Sequence, residues 1–507
     1  MNNCAIELRN IRKTFGPVVA NDGINLQINR GEILCLLGEN GSGKTTLMNM
    51  LSGIYQPDSG EIYADGNLVS IRSPHDAYTY GIGMIHQHYH LVDVFTAAQN
   101  IVLGLDEKLD IGAVNDKVKG ICDKYGFNVD PKKKVYDMSV SQKQTIEIVK
   151  VLYRGAEILI LDEPTAVLTP QETDKLFTVL RNMKKDGKAI VLITHKLAEV
   201  MDVSDKVAIL RKGKYIGTVN TSETSPQQLT DMMVGHSVTL NINRPVYKNS
   251  VDKLKVEGLT VVDREGIKKL DNVSFTAKTG EILGVAGIAG SGQKEMLESI
   301  TGLYPIKSGS IKFLKKDSEI ELVGKTPMEI KKIGVGMGFV PEDRLGMGLV
   351  GSMGMTNNMM LRSWKDGKGI FFNRKKPQDL AEKVWNDLEV VTPSTEFPVR
   401  RMSGGNIQKV LVGREIASNP PVLLTAYAVR GLDINTSYAI YNLLTEQKMN
   451  GSAVMYIGEE LDVLLQLCDR ILVLCDGKVS GIVDARKTTK EEIGFMMTTV
   501  GGKGGKE

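Results

Sequence analysis

Short runs of consecutive apolar residues, some followed by a glycine-rich or acidic turn, recur along the chain. Ile33-Leu34-Cys35-Leu36-Leu37, Ile158-Leu159-Ile160-Leu161 and Ile190-Val191-Leu192-Ile193 are apolar without alternation. A strand reads this way when both of its faces are covered, as in a parallel sheet with helices on either side. The pattern predicts alternating strands and helices, an α/β fold, with central strands at these runs.

The same pattern occurs twice. Gly31-Glu32-Ile33-Leu34 runs into a glycine-rich loop at Gly38, and Gly280-Glu281-Ile282-Leu283 into a similar loop at Gly287. Met138-Ser139 matches Met402-Ser403, and Val203-Ser204-Asp205-Lys206-Val207 matches Leu467-Cys468-Asp469-Arg470-Ile471. Gly287 lies 249 positions after Gly38 and Ser403 lies 264 after Ser139, so the second copy has gained 15 residues in between, expected near 346–369. Arg244-Pro245 and the polar residues of 241–252 interrupt the periodicity, as a linker does. Two α/β domains are expected, at 1–242 and 250–500, with the glycine-rich 501–507 as a flexible end.

A chain of 507 residues is too long for one core. Its 42% hydrophobic and 24% charged residues are ordinary for a globular protein. With 63 basic against 60 acidic residues, the net charge of +3 supplies no basic pole, and nucleic acid is not an expected partner. No run approaches the roughly 18 apolar residues of a membrane-spanning helix, and the N-terminus lacks a signal-peptide pattern. Cys4, Cys35, Cys122, Cys468 and Cys475 are scattered without metal-ligand spacing, which reads as reduced thiols in a cytosolic protein.

The chemistry concentrates in the first copy. Gly38-Glu39-Asn40-Gly41-Ser42-Gly43-Lys44-Thr45 fits the phosphate-loop pattern. Its glycines let backbone N–H groups turn inward around phosphates at the start of a helix. Lys44 would reach the β- and γ-phosphates, and the Thr45 hydroxyl would hold Mg²⁺. The apolar run 158–161 ends in Asp162 and Glu163, placing one acid near the metal and the next near an attacking water. Either acid alone would read as a helix cap. His195 ends a further apolar run, where a γ-phosphate contact competes with a packing role.

These motifs resemble the ABC transporter ATPases over nearly the whole chain. Met402-Ser403-Gly404-Gly405-Asn406-Ile407-Gln408 is similar to the signature motif of that family. The resemblance implies two fused P-loop nucleotide-binding domains in a pseudo-twofold, head-to-tail arrangement, each ATP lying between one P-loop and the other domain's signature. It implies ATP and Mg²⁺ as cofactors. Gln87 would contact Mg²⁺ or water and sense the permease, and Phe15 would stack on adenine. Gly38, Asn40, Gly41, Gly43, Lys44, Thr45 and Thr46 would bind the nucleotide, completed by Ser403, Gly404, Gly405 and Asp433. Asp162, Thr45 and Gln87 would hold the metal. Glu163, His195 and Gln87 would carry catalysis. The tandem form looks like the ATPases of bacterial sugar and nucleoside importers, on the strength of Tyr153-Arg154-Gly155-Ala156, the 162–170 stretch, Val340-Pro341-Glu342-Asp343-Arg344 and Arg430-Gly431-Leu432-Asp433. Such a subunit sits at the cytoplasmic face of the membrane with two permease subunits and, indirectly, an extracytoplasmic substrate-binding protein.

The second copy departs from this set. Gln293 and Lys294 stand at the Lys44 and Thr45 positions, Ala426 and Tyr427 at those of the two acids. Glu342, Glu459 and Arg264 stand at the Gln87, His195 and Phe15 positions. The first copy loses its signature instead, reading Ser139-Val140-Ser141-Gln142, and has Thr169 where the second has Asp433. In head-to-tail pairing every loss falls on one composite site, so one site is expected to hydrolyse ATP. The missing lysine and acids look more like the nucleoside branch than the ribose or galactose branch. Ala426-Tyr427-Ala428-Val429 and Ser139-Val140-Ser141 depart from that branch too. A soluble ribosome-associated ABC protein would keep both sites and carry a long charged linker, and an inactive scaffold would not keep the first site whole.

Overall fold

The computed structural model describes residues 3–87, 89–105, 110–166, 168–236, 241–363 and 373–499. The expected flexible end at 501–507 lies outside these. The chain divides into two compact units, Met1–Thr239 and Leu240–Glu507.

The first unit contains β1 (Cys4–Phe15), β2 (Val18–Asn29), β3 (Ile33–Leu37), β4 (Ser59–Ala64), β5 (Asn67–Val69), β6 (Ile82–Ile85), β7 (Ile158–Asp162), β8 (Ala189–Ile193), β9 (Lys206–Arg211) and β10 (Lys214–Asn220). They form a four-stranded sheet in the order β2-β1-β4-β5 and a six-stranded sheet in the order β10-β9-β3-β8-β7-β6. Strands β3, β6, β7, β8 and β9 run parallel, with β10 antiparallel at the edge. The unalternating apolar runs are explained by burial on both faces. Ile158 and Ile160 face a core shared with the four-stranded sheet and helix Lys44–Leu51. Leu159 and Leu161 face the opposite core, against Phe177, Leu180 and Met183 of helix Pro170–Lys185.

The second unit repeats the plan with β11 (Asp252–Val262), β12 (Lys268–Lys278), β13 (Glu281–Gly287), β14 (Ser308–Lys315), β15 (Ser318–Glu321), β16 (Met337–Val340), β17 (Val422–Ala426), β18 (Ala453–Ile457), β19 (Arg470–Cys475) and β20 (Lys478–Asp484). Its sheets run β12-β11-β14-β15 and β16-β17-β18-β13-β19-β20, the same connectivity copied strand for strand. The fold is α/β in both halves.

The 15 gained residues are spread out rather than confined to 346–369. Met337, which opens β16, already stands 255 positions after Ile82, which opens β6. The buried Asn358 stands 258 after Asn100, and both hold the chain in the same way. Asn100 accepts from the Val92 N–H, as Asn358 does from Val350. The buried asparagine pins the loop at a fixed distance in each unit, so insertions accumulate on either side of it.

The interdomain segment packs on the second unit. Ile242 is buried in its core, and Arg244 donates to the carbonyls of Leu465 and Cys468 at the end of helix Leu461–Leu467. A cation there compensates the unpaired C-terminal carbonyls. Among the described residues no helix is long and apolar enough to cross a membrane.

Candidate functional site

In the first unit, β3 feeds the glycine loop, which feeds helix Lys44–Leu51. Gly41 (φ 78°) and Gly43 (φ 97°) take left-handed conformations. A Cβ on Gly43 would come within 2.3 Å of the Ala20 carbonyl oxygen, so this position admits only glycine. Gly43 is also the helix N-cap, and no side chain caps the helix. Its first N–H groups are thus available to an anion. The buried Lys44 ammonium folds back, donating to the carbonyls of Gly38 (2.6 Å) and Glu39 (2.9 Å). Burial lowers its pKa, opposed by the nearby Glu163 and Asp162. A buried cation resting on loop carbonyls in this way is preorganised for phosphate oxygens.

The two acids at the end of β7 differ in environment. Asp162 is buried, and its Oδ2 accepts from the Thr45 hydroxyl at 3.2 Å. Burial raises its pKa, with the Thr45 hydrogen bond and Lys44 opposing. A hydroxyl and a carboxylate oxygen side by side are the hard donors Mg²⁺ takes beside phosphate, and the pair fits that ion. Glu163 sits at φ 46°, a sparsely populated conformation for a non-glycine residue. Its amide still reaches the Ile193 carbonyl of β8. The turn aims its carboxylate at two partners: Gln87 Nε2 donates to Oε2 at 3.0 Å, and His195 Nδ1 lies 2.8 Å from Oε1. The His195 bond holds the Glu163 carboxyl below its ordinary range despite partial burial. The structure therefore brings Gln87, Glu163 and His195, far apart in sequence, onto one carboxylate.

A supporting network was not legible from motifs. The buried Glu199 accepts from the hydroxyls of Thr165 (2.7 Å) and Thr194 (3.2 Å) and pairs with Lys196 at 3.0 Å. Thr165 follows Glu163 by two residues and Thr194 precedes His195, so Glu199 ties both loops together. Gln144 adds a bond to the Pro164 carbonyl at 2.6 Å. A glutamate two residues into a helix after an apolar strand gives no sequence signal for this.

Because the His195 bond is the largest influence lowering the Glu163 pKa, His195→Ala should let that pKa rise. If the ionised carboxylate is the active form, the acid limb of the kcat/KM profile moves to higher pH. An acid limb that stays in place would separate His195 from Glu163.

The second unit keeps the backbone and discards the chemistry. Gly290 and Gly292 retain left-handed φ of 90° and 93°, and Tyr427 retains the strained turn at φ 52°. Gln293 Nε2 donates to the Ile288 carbonyl at 3.1 Å, copying the Lys44 fold-back without a charge. Lys294 points along its helix toward Glu298 at 3.9 Å. Burial and then the neighbouring Glu342 and Glu459 push Tyr427 up to about 12, so it is no base at neutral pH. Val429, Gly458, Glu460 and Val463 replace Thr165, Thr194, Lys196 and Glu199, so the supporting network has gone as well.

The family model described as ABC transporter matches residues 21–166 and again 270–425. The chain belongs to the ABC transporter family. It is 41% identical over 508 residues to the nucleoside import ATP-binding protein NupA of Lactococcus lactis subsp. cremoris (strain MG1363), covering 99% of each chain. It is 42% identical over 500 residues to the guanosine import ATP-binding protein NupO of Bacillus subtilis (strain 168), covering 97% of each. The glucose import ATP-binding protein TsgD13 of Haloferax volcanii is 36% identical over 530 residues, with 97% of this chain and 95% of that protein covered. The chain is thus a tandem ABC transporter ATPase, the ATP-binding component of an importer.

The remaining candidates take their places in these two ABC cassettes. Phe15 ends β1 and is 41% exposed, edge-on to Tyr55 at 5.2 Å. It is an exposed aromatic rather than a core residue, with the Lys13 ammonium 5.6 Å from its ring centre. Asn40 is exposed at the loop tip, and Thr46 is half-buried on the helix behind Thr45. Ser403 caps helix Gly404–Ile416 through the Asn406 amide, with exposed Gly404 and half-buried Gly405 supplying the first amides. Asp433 caps helix Ile434–Met449, both of its oxygens engaged by Thr436. The motifs include Arg430 in the 430–433 stretch but give it no role. Two new acids, Glu342 and Glu459, call for a cation between them, and that was the available signal.

Proposed function

We propose that this chain drives a nucleoside importer, with ATP hydrolysed at one site built on the first cassette. The observation that carries the single-site reading is the Glu163 carboxylate held between Gln87 and His195, with no counterpart at Tyr427. The cargo reading is supported by relatives at 41% and 42% identity that import nucleosides or guanosine. Sugar importers stand at 36% and 37%, and a simple-sugar cargo is the second reading.

In this account Phe15 stacks on the adenine, and the amides of Gly41 and Gly43, with Asn40 and Thr46 beside them, enclose the phosphates. Lys44 exchanges the Gly38 and Glu39 carbonyls for phosphate oxygens. Thr45, Asp162 and Gln87 hold Mg²⁺, which neutralises charge on the phosphates when bound. Glu163 takes a proton from the attacking water, and His195 keeps that carboxylate ionised and oriented. Ser403, Gly404, Gly405 and Asp433 complete the γ-phosphate side when ATP closes the cassettes. Permeases, two per transporter, are sensed through the loops at Gln87 and Glu342, with the chain at the cytoplasmic face and an external binding protein delivering cargo.

Uptake of labelled purine nucleosides and of ribose should be compared in cells carrying wild-type or Glu163→Gln protein. Loss of nucleoside uptake alone is expected. Loss of ribose uptake alone would keep the mechanism and replace the cargo.

A further inference from the structure

In the first cassette, the loops after β6, β7 and β8 meet through the Glu163 carboxylate. In the second, the corresponding loops after β16, β17 and β18 meet through a cation. Arg430 pairs with Glu342 at 2.6 Å through Nη1 and with Glu459 at 3.0 Å through Nε. Its guanidinium lies 5.9 Å from the centre of the Tyr427 ring, and its own carbonyl accepts from Arg344. Ala166 stands at this position in the first cassette. Charge has been inverted while the meeting point is kept. A neutral glutamine and a histidine around a carboxylate have become two carboxylates around a guanidinium.

This inversion has an electrostatic consequence. A triphosphate entering a cassette brings its γ-phosphate toward the residues at the Gln87 and His195 positions. Here it would meet two carboxylates already paired with Arg430, and like charges at close range in a partly desolvated pocket repel strongly. Ala426 offers no metal ligand, and Lys294 has replaced the hydroxyl. We propose that the second pocket is self-occupied. Arg430 stands where a metal-bound triphosphate would otherwise hold the three loops together, and it makes Arg430 a positioning residue for coupling rather than a catalytic one. The loops of this cassette, including the stretch that leads within three residues to Asp433, then stay joined whether or not ATP is present, and the second cassette carries motion without consuming nucleotide. The inference rests on the reading of the first cassette as the hydrolysing half.

The test has two arms. Equilibrium dialysis of the wild-type full chain against a non-hydrolysable ATP analogue with Mg²⁺ should give one analogue bound per chain at saturation. Two per chain would overturn the proposal. Nothing is hydrolysed, so this result is independent of which residue is the base, and continued turnover in Glu163→Gln would sink the single-site reading without touching it. In the transporter assembled with its permeases, Arg430→Ala should lower cargo moved per ATP hydrolysed by about 5-fold or more, with the KM for ATP unchanged. Arg430→Lys, which can pair with one carboxylate at a time, should recover part of the loss. Unchanged cargo per ATP in Arg430→Ala would overturn the role. Should Arg430→Ala fold poorly, the doubly substituted Glu342→Gln, Glu459→Gln protein removes both ion pairs and must show the same loss; full coupling there would equally overturn it.

Discussion

Glu163→Gln should lower ATP turnover of the assembled transporter by about 10²-fold or more, while Tyr427→Gln leaves it within about 3-fold of wild type. The two residues occupy the same strained turn, at φ 46° and 52°, and each amide bonds the last residue of the neighbouring strand. What differs is the side chain. Glu163 is ionised, held by Gln87 and His195 and backed by the Glu199 network. Tyr427 is half-buried, and burial with the neighbouring Glu342 and Glu459 pushes its pKa up to about 12. Glutamine at 163 retains the shape and one acceptor oxygen, turns the other acceptor into a donor NH2 and has no affinity for a proton, so binding should survive as turnover falls. Rates of phosphate release for the two variants, measured in the same membranes, decide the matter. Comparable losses from both changes would mean that the second pocket also turns over ATP.

Lys44→Gln should weaken ATP binding by about 10²-fold or more, because it removes a desolvated charge opposite a polyanion. The second unit already shows what this substitution does to the loop. Gln293 fills the same space and bonds the same kind of loop carbonyl, so the fold of the first unit should survive. The backbone amides would remain, and the residual affinity would report what they contribute without the ammonium. Titration with a fluorescent ATP analogue measures the loss, and circular dichroism checks the fold. An unchanged affinity would show that Lys44 serves the loop rather than the nucleotide.

The fold was legible because its main signal is one-dimensional. Fully apolar runs such as 158–161 announce a sheet covered on both faces, and their repetition announces two copies. The phosphate loop was legible because its glycines are required by left-handed backbone at Gly41 and Gly43. The meeting of Gln87 and His195 on Glu163 had to be carried over from a family resemblance, since no local rule links loops 76 and 32 residues apart. Glu199 and the role of Arg430 were hidden for a different reason. Each acts mainly through partners in loops that follow other strands, and contacts across loops follow no fixed spacing. The spread of inserted residues was partly legible, since Glu342 stands 255 positions after Gln87; the buried Asn100 and Asn358 add the landmark between there and Ser403.

The docked interdomain segment bears on how the chain could be divided. Ile242 fills the second unit's core, Arg244 closes the end of helix Leu461–Leu467, and Tyr247 lies against Gly280. These residues look like a leader to the second unit, yet they are part of its hydrophobic and polar inventory. A two-gene version of the protein split after residue 250 would strip that inventory from the second piece and leave an apolar strip without a host on the first. A split near residue 240 would hand over both intact. The joint between the two copies is thus asymmetric, and ancestral fusion or modern dissection must respect the side to which it belongs.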